Sequence, residues 1–315
     1  MSSQHKLTLQ TLFENYISDC TYSKQLRPQT IKSYCQVFET FKKIMPETVT
    51  VSDLHNQILN EFFKRISTRT RIVGKISITS GVKPSTIKTY YNKLIAFFRW
   101  LEHHNHLNKS ITPYMTKPPS PKYDDQKALS DEEVSKIIAS VTLYSMDYTF
   151  LYSRDIAIIS LLLYTGIRKG ELLALRIGDV NFQQRTLFIN GSSSKSKRSR
   201  YIPIHYALIS HLKSYLKERE LLKTTCQALI ISSKEDRAFT VHGMKYWVKK
   251  YSRLSGVKFH IHRFRHTFAC KLAKQNADIV SIMKVMGHAT TQMTERYLRS
   301  IQSENSRSYI DKLTF

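Results

Sequence analysis

The sequence predicts a mainly α-helical chain with one small antiparallel β-sheet in its second half. Three observations lead there. Glycine and proline are scarce, 9 and 8 in 315 residues, which leaves little material for long loops. Apolar residues recur along most of the chain at the three- and four-residue spacing of a helix with one buried face. Only Val180–Ile204 reads as short strands around polar turns. Apolar residues make up 41% and charged residues 23%, which excludes a wholly disordered chain and supplies enough apolar material for two cores.

The first part reads as four helices. Leu9, Leu12, Phe13, Tyr16 and Ile17 share one face of the first. The second opens at Pro28-Gln-Thr30, carries Ile31, Tyr34, Phe38 and Phe41, and stops at Pro46. The third starts at Ser52 as N-cap and runs through Leu54, Ile58, Leu59 and Phe62. The fourth opens at Pro84-Ser-Thr86 with Ile87, Tyr91, Leu94, Phe98 and Leu101 on one face. Between the last two, Arg65–Lys83 reads as a basic loop. Residues 112–126 hold Pro113, Pro118, Pro119 and Pro121, then Asp124-Asp125, with no apolar rhythm, and read as a linker. The expected domains are therefore 1–111 and 127–315. Ser130-Asp-Glu-Glu133 matches a capping box and opens the second domain. Helices follow over about 131–141 and 153–164, then two strands within Val180–Ile189 and a third at Arg200–Ile204. The remainder is helical up to a short tail, Ser303–Phe315.

Charge narrows the partner. Lys and Arg number 49 against 24 Asp and Glu, a net +25. Residues 1–122 hold 18 basic and 7 acidic side chains, and 123–315 hold 31 and 17, so the excess is +11 and +14 and no single basic tail explains it. Such a balance points to a polyanion, nucleic acid or an anionic membrane surface. The longest apolar run, Ile156–Tyr164, is too short to span a bilayer, and the N-terminus shows no signal-peptide core. Cys20, Cys35, Cys226 and Cys270 have no close pairing, so neither a disulfide frame nor a zinc knuckle is expected. Lys32, Lys88 and Lys93 on the polar faces of the early helices suit either solvent or phosphate contact.

Four segments carry residues fit for chemistry. Thr165-Gly-Ile-Arg168-Lys-Gly-Glu171 places Arg168 at a helix start with Glu171 on the same face. Ser194-Lys195-Ser196-Lys197-Arg198-Ser199-Arg200 is a basic turn between strands. His260-Ile-His262-Arg-Phe-Arg265-His266 sets His262 and Arg265 three apart. A metal held by His260, His262 and His266 is disfavoured, because no carboxylate or thiolate partner is near and Arg263 and Arg265 repel a cation. Arginines and a histidine aimed at one point suit an anion with a proton to move. Finally, Met286-Gly287-His288 precedes Tyr297, which lies on a polar stretch beside Arg296 and Arg299.

In this order the segments resemble the tyrosine recombinase (phage integrase) family, and the resemblance covers nearly the whole chain. It implies a two-domain architecture, a helical core-binding domain followed by an α+β catalytic domain. It implies that Arg168 and Arg265 clamp phosphate, that Lys195 is the hairpin lysine with Lys197 as its competitor, that His262 and His288 are the active-site histidines, and that Tyr297 is the nucleophile. Glu171 falls on the family's acidic supporting position. Phe264 and Met286 stand where the family commonly has leucine, and both remain apolar. Lys197, Arg198 and Arg200 join the expected DNA contacts.

The activity implied is site-specific cutting and rejoining of double-stranded DNA through a covalent 3′-phosphotyrosyl link, for integration, excision or resolution. Such a link conserves the bond energy, so no ATP is needed, and no phosphate-binding GxxxxGK motif occurs. Neither cofactor nor metal is expected. The family works as a tetramer on paired sites, with a C-terminal tail docking on a neighbouring subunit, a part open here to Tyr309, Ile310, Leu313 and Phe315, and with accessory DNA-bending proteins as further partners. A cytoplasmic bacterial or archaeal protein is implied. The alternatives are a DNA-binding protein of the same fold that does not cut, a strand-relaxing topoisomerase, and an RNA-binding protein, the last lacking the aromatic motifs of RNA-recognition domains.

The +25 charge sets a first expected outcome. Non-specific affinity for duplex DNA, measured by fluorescence anisotropy, falls steeply and linearly with salt on a log–log plot, and a flat plot contradicts a phosphate-dominated interface.

Overall fold

Aromatic residues at helical spacing build the first core. The computed structural model describes residues 7–73, 77–107, 109–119, 128–192 and 198–298, and of 71–73, 77–80 and 296–298 the backbone alone. The chain divides into two units, Met1–Tyr123 and Asp124–Phe315. In the first, helices α1 (Leu9–Ser18), α2 (Pro28–Ile44), α3 (Ile58–Thr68) and α4 (Pro84–His103) enclose the core. Proline opens α2 and α4, where its missing N–H costs nothing and its fixed φ suits the first helical turn. Phe13 stacks on Phe38 with centroids 3.8 Å apart, and Phe97 meets both edge-on at 5.2 and 5.6 Å.

The structure departs from the sequence expectation at three places in this unit. Ser52 does not cap α3. It lies in a short 3₁₀ turn, Val51–Asp53, capped reciprocally by Thr50 and Asp53, and α3 begins six residues after Ser52. The basic loop contains a β-hairpin, β1 (Thr70–Val73) and β2 (Ser77–Ser80), with Thr70 opposite Ser80. The chain beyond α4 is also not linker from Thr112 onward. The Glu102 carboxylate accepts the backbone N–H groups of Ile111 and Thr112 and the hydroxyls of Ser110 and Thr112, at 2.6–2.9 Å. That anchor carries Ile111 and Met115 into the aromatic core. Residues 120–127 lie outside the described residues.

The second unit is organised around one helix. Its helices are α5 (Asp131–Ser145), α6 (Thr149–Thr165), α7 (Lys169–Ala174), α8 (Tyr206–Leu221), α9 (Val241–Ser255), α10 (Ile261–Lys274), α11 (Ile279–Met286) and α12 (Gln292–Leu298). Helix α6 is apolar from Ile156 to Leu162 except for Ser160, whose hydroxyl pairs with His211 Nδ1 at 2.6 Å; the whole stretch is buried, and α5, α8 and α10 pack against the helix. Its one buried ion pair, Arg154–Asp155, is completed by the Tyr251 hydroxyl of α9, which donates to Asp155 at 2.6 Å. The Ser130–Glu133 capping box forms as the sequence predicts. Glu133 also accepts from Arg263 at 2.6 Å, and Thr267 Oγ1 accepts the Leu129 N–H at 2.7 Å, so the start of α5 is tied to α10.

A three-stranded antiparallel sheet, β3 (Val180–Asn181), β4 (Thr186–Ile189) and β5 (Arg200–Pro203), completes this unit. Leu187 faces Ile202 across the ladder, and both are buried. Among the described residues no helix is long and apolar enough to cross a membrane.

Candidate active site

The site is built around the C-terminal end of α11. The last carbonyls of a helix lack partners within it and carry partial negative charge. Here three consecutive ones are satisfied by arginine. Arg200 Nε donates to Val285 O at 2.8 Å, Arg265 Nη2 to Met286 O at 2.5 Å, and Arg168 Nη2 to Gly287 O at 2.9 Å. The three come from separate elements: Arg168 is the N-cap of α7, Arg200 begins β5, and Arg265 lies in the second turn of α10.

Two glycines make the close approach possible. Gly166 ends α6 in the left-handed region, and its carbonyl accepts from Arg265 Nη1 at 2.6 Å. A Cβ there falls 2.3 Å from the Phe268 ring. Gly287 ends α11 in the same conformation, and a Cβ there falls 2.8 Å from the Arg200 guanidinium.

Glu171 balances the charge. It is 1% exposed, and its carboxylate takes four hydrogen bonds. Arg168 Nη1 and the Arg168 backbone N–H donate at 2.9 Å each, and Arg200 donates at 2.9 and 3.2 Å. Burial alone raises the carboxyl pKa. The bonds from Arg200 and Arg168 outweigh that and bring it down to about 2.

His288 stands among the same cations. It is 9% exposed, and burial first, then Arg265, Arg168, Arg200 and His262, lowers its pKa to about 3, so the ring is neutral at pH 7. Its Nδ1 lies 2.9 Å from Oγ1 of the fully buried Thr294 on α12. His262, in the first turn of α10, lines a cavity of about 520 Å³ together with Arg168, Lys169, Lys245 and His260. Arg265, only 1% exposed, is not among the residues that line it.

The structure therefore brings Arg168, Glu171, His262, Arg265 and His288 together. Tyr297 lies in α12, and only its backbone is described. Lys195 and Lys197 lie outside the described residues, as do Tyr309, Ile310, Leu313 and Phe315. Arg200 corrects the sequence expectation: expected to face DNA from the hairpin, it turns inward, because the buried Glu171 carboxylate needs a second cation. Lys93 also differs. It is half-buried with Nζ 3.9 Å above the Tyr34 ring, and burial lowers its pKa. Lys32 and Arg198 are exposed and Lys88 is half-buried. His266 Nδ1 faces Cys270 Sγ at 3.1 Å. Phe264 and Met286 are both buried core residues.

Sequence reasoning missed Thr294 and Lys245. Thr294 lies three residues before Tyr297, on the same side of a helix, which is the signal that finds it. Lys245 belongs to α9, whose exposed face also carries His242, Lys249 and Arg253. Chemically, fixed guanidinium groups around a neutral imidazole suit the binding of a tetrahedral oxyanion in a site of low dielectric.

The model of the phage integrase family matches residues 127–304. The tyrosine recombinase XerA of Pyrococcus furiosus is 27% identical over 282 residues, covering 87% of this chain and 92% of its own. A tyrosine recombinase of Agathobacter rectalis is 26% identical over 320 residues, covering 96% of each. Among solved structures, the Tn1549 transposon integrase in complex with a circular-intermediate DNA has the same fold, with a TM-score of 0.72 at 16% identity, covering 96% of this chain and 99% of that one.

The Glu171 network sets the pH dependence of stability. The folded-state pKa is depressed from the ordinary 4.5 to about 2, so the contribution is complete above 4.5 and is lost as pH falls toward 2. In urea unfolding Glu171→Gln is expected to be about 3 kcal/mol less stable than wild type at pH 7, with the gap closing below pH 4.5. A gap independent of pH contradicts the assignment.

Proposed function

This chain belongs to the phage integrase family and is a tyrosine-type site-specific DNA recombinase, and from that membership we propose how its residues divide the work. Arg168 and Arg265 hold the non-bridging oxygens of the scissile phosphate, where negative charge builds as phosphorus becomes five-coordinate. The observation that carries this assignment is their anchoring on Gly287 O, Met286 O and Gly166 O, which fixes both guanidinium groups before any substrate arrives. A guanidinium has five N–H donors, so anchoring through some is compatible with offering others.

The Tyr297 oxygen attacks phosphorus and His262 takes its proton. The bond to the 5′-oxygen breaks, and Lys195, with Lys197 as the competing side chain, supplies the proton to that leaving oxygen. The DNA then carries a 3′-phosphotyrosyl bond and a free 5′-hydroxyl. Attack by a 5′-hydroxyl of the partner strand reverses the same transfers, so the bond is conserved and no external energy enters. His288, neutral in this setting, donates a hydrogen bond to the phosphate.

Residues 1–111, extended through Met115 by the Glu102 anchor, act as the core-binding domain and 127–315 as the catalytic domain. Each carries a strong positive excess that suits contact with the backbone of double-stranded DNA. Lys32, Lys88 and Arg198 serve those contacts, and Lys93 and Arg200 support them from within the fold. The chain works as a tetramer on two paired sites in the cytoplasm, with the C-terminal tail reaching a neighbouring subunit.

A covalent-trapping gel tests this. With nicked duplex from the DNA flanking its own gene, and a chelator present, wild type is expected to give a denaturation-resistant protein–DNA band that Tyr297→Phe does not. A band that persists in Tyr297→Phe, or that forms only with divalent metal, overturns the proposal.

A further inference from the structure

The hydroxyl of Thr294 is fully buried in α12, whose neighbouring residues Gln292 and Met293 are exposed. A buried hydroxyl is costly unless it has a partner. The partner here is Nδ1 of His288, at 2.9 Å. Two arrangements satisfy that distance. Either the hydroxyl donates to a bare Nδ1, or a protonated Nδ1 donates to the hydroxyl oxygen. A neutral imidazole has only one N–H, so the choice fixes what the opposite nitrogen, Nε2, presents.

Electrostatics selects between them. The ring sits among Arg168, Arg200, Arg265 and His262, and these groups together with burial keep it neutral. A site that gathers cations gathers them for an anion, and an anion's oxygen repels a bare nitrogen lone pair but accepts from an N–H. We propose that Thr294 is a positioning residue for strand cleavage. Its hydroxyl donates to Nδ1 of His288 and holds the ring proton on Nε2, so that the ring offers an N–H to the phosphate. This rests on the roles given above to His288 and Tyr297.

The consequence is a coupling between nucleophile and catalyst. Thr294 and Tyr297 are three residues apart in α12, and one helical turn carries both. The helix that carries the nucleophile therefore also carries the group that sets the tautomer of His288.

The experiment reads the tautomer directly. In full-length protein labelled with ¹⁵N-histidine, long-range ¹H–¹⁵N spectra report which ring nitrogen carries the proton, and His288→Asn assigns the signal. Wild type and Thr294→Ser are expected to show the Nε2–H form, and Thr294→Val a mixture. In single-turnover adduct formation on the nicked duplex, Thr294→Val is expected to be about tenfold slower at unchanged DNA affinity, with Thr294→Ser within about twofold of wild type, the scale of one hydrogen bond. An Nδ1–H form in wild type overturns the proposal, and so does a Thr294→Val protein with wild-type tautomer and rate. If Thr294→Val does not fold, the wild-type and Thr294→Ser spectra still decide. If the tautomer behaves as expected but wild type forms no adduct, the role given to Tyr297 fails and the Thr294–His288 pairing stands.

Discussion

Three guanidinium groups cannot share one small region of a protein without compensation, and the second unit is arranged around supplying it. The compensation has two parts. Glu171 gives one full negative charge to Arg168 and Arg200 through a carboxylate with four hydrogen bonds. The carbonyl end of α11 gives partial negative charge and three acceptors, one to each arginine. Removing one partner from such a buried set leaves an uncompensated charge, which costs far more than the set contributes when whole. The cluster remains net positive, with three cations against one carboxylate. It is therefore held open toward an anion. The buried Arg154–Asp155 pair in α6 makes the contrast: one charge of each sign, closed by the Tyr251 hydroxyl, serves the fold alone.

The rest of the unit supplies rigid points of attachment. Helix α6, covered on all sides, ends at Gly166, so the turn that delivers Arg168 has no freedom to drift. Helix α10 packs on α6 and brings His262 and Arg265 on one face. Functional groups carried on packed helices hold their geometry better than groups on loops. Against this fixed frame, α12 is a short helix that meets the site through Thr294 and His288.

Much of the fold was legible in the sequence because local chemistry specifies it. Pro28 and Pro84 start helices, Ser130 and Glu133 form their capping box, and the aromatic stripes of the first unit are its core. The hairpin of residues 70–80 was hidden by its charge and polarity: Arg71, Lys75 and several Ser and Thr mask the β-branched Ile72, Val73, Ile76 and Ile78. Ser52 misled because a good capping residue served a 3₁₀ turn before α3. Met115 looked like linker because the anchor that holds its segment, Glu102, sits in the preceding helix. Arg168, Glu171, His262, Arg265 and His288 were singled out not by any one motif but by the order of the motifs and the family resemblance that order carries. The inward turn of Arg200 was not, since it depends on Glu171 and Val285, far away in sequence. Thr294 was passed over although its i,i+3 spacing to Tyr297 was visible, because its pairing with His288, six residues away, is defined only once α12 has packed.

The central claim is that anchored guanidinium geometry, and not positive charge alone, prepares this site. Arg265→Lys tests it most directly, since lysine keeps the charge but cannot reach both Gly166 O and Met286 O as a planar fork. The measurement is single-turnover cleavage of the nicked duplex alongside DNA affinity. The account requires cleavage to fall by about a hundredfold or more, the scale of losing one preorganised oxyanion donor, while affinity stays close to wild type. Cleavage near the wild-type rate in Arg265→Lys contradicts it, and shows that a point charge suffices where the structure holds a fork.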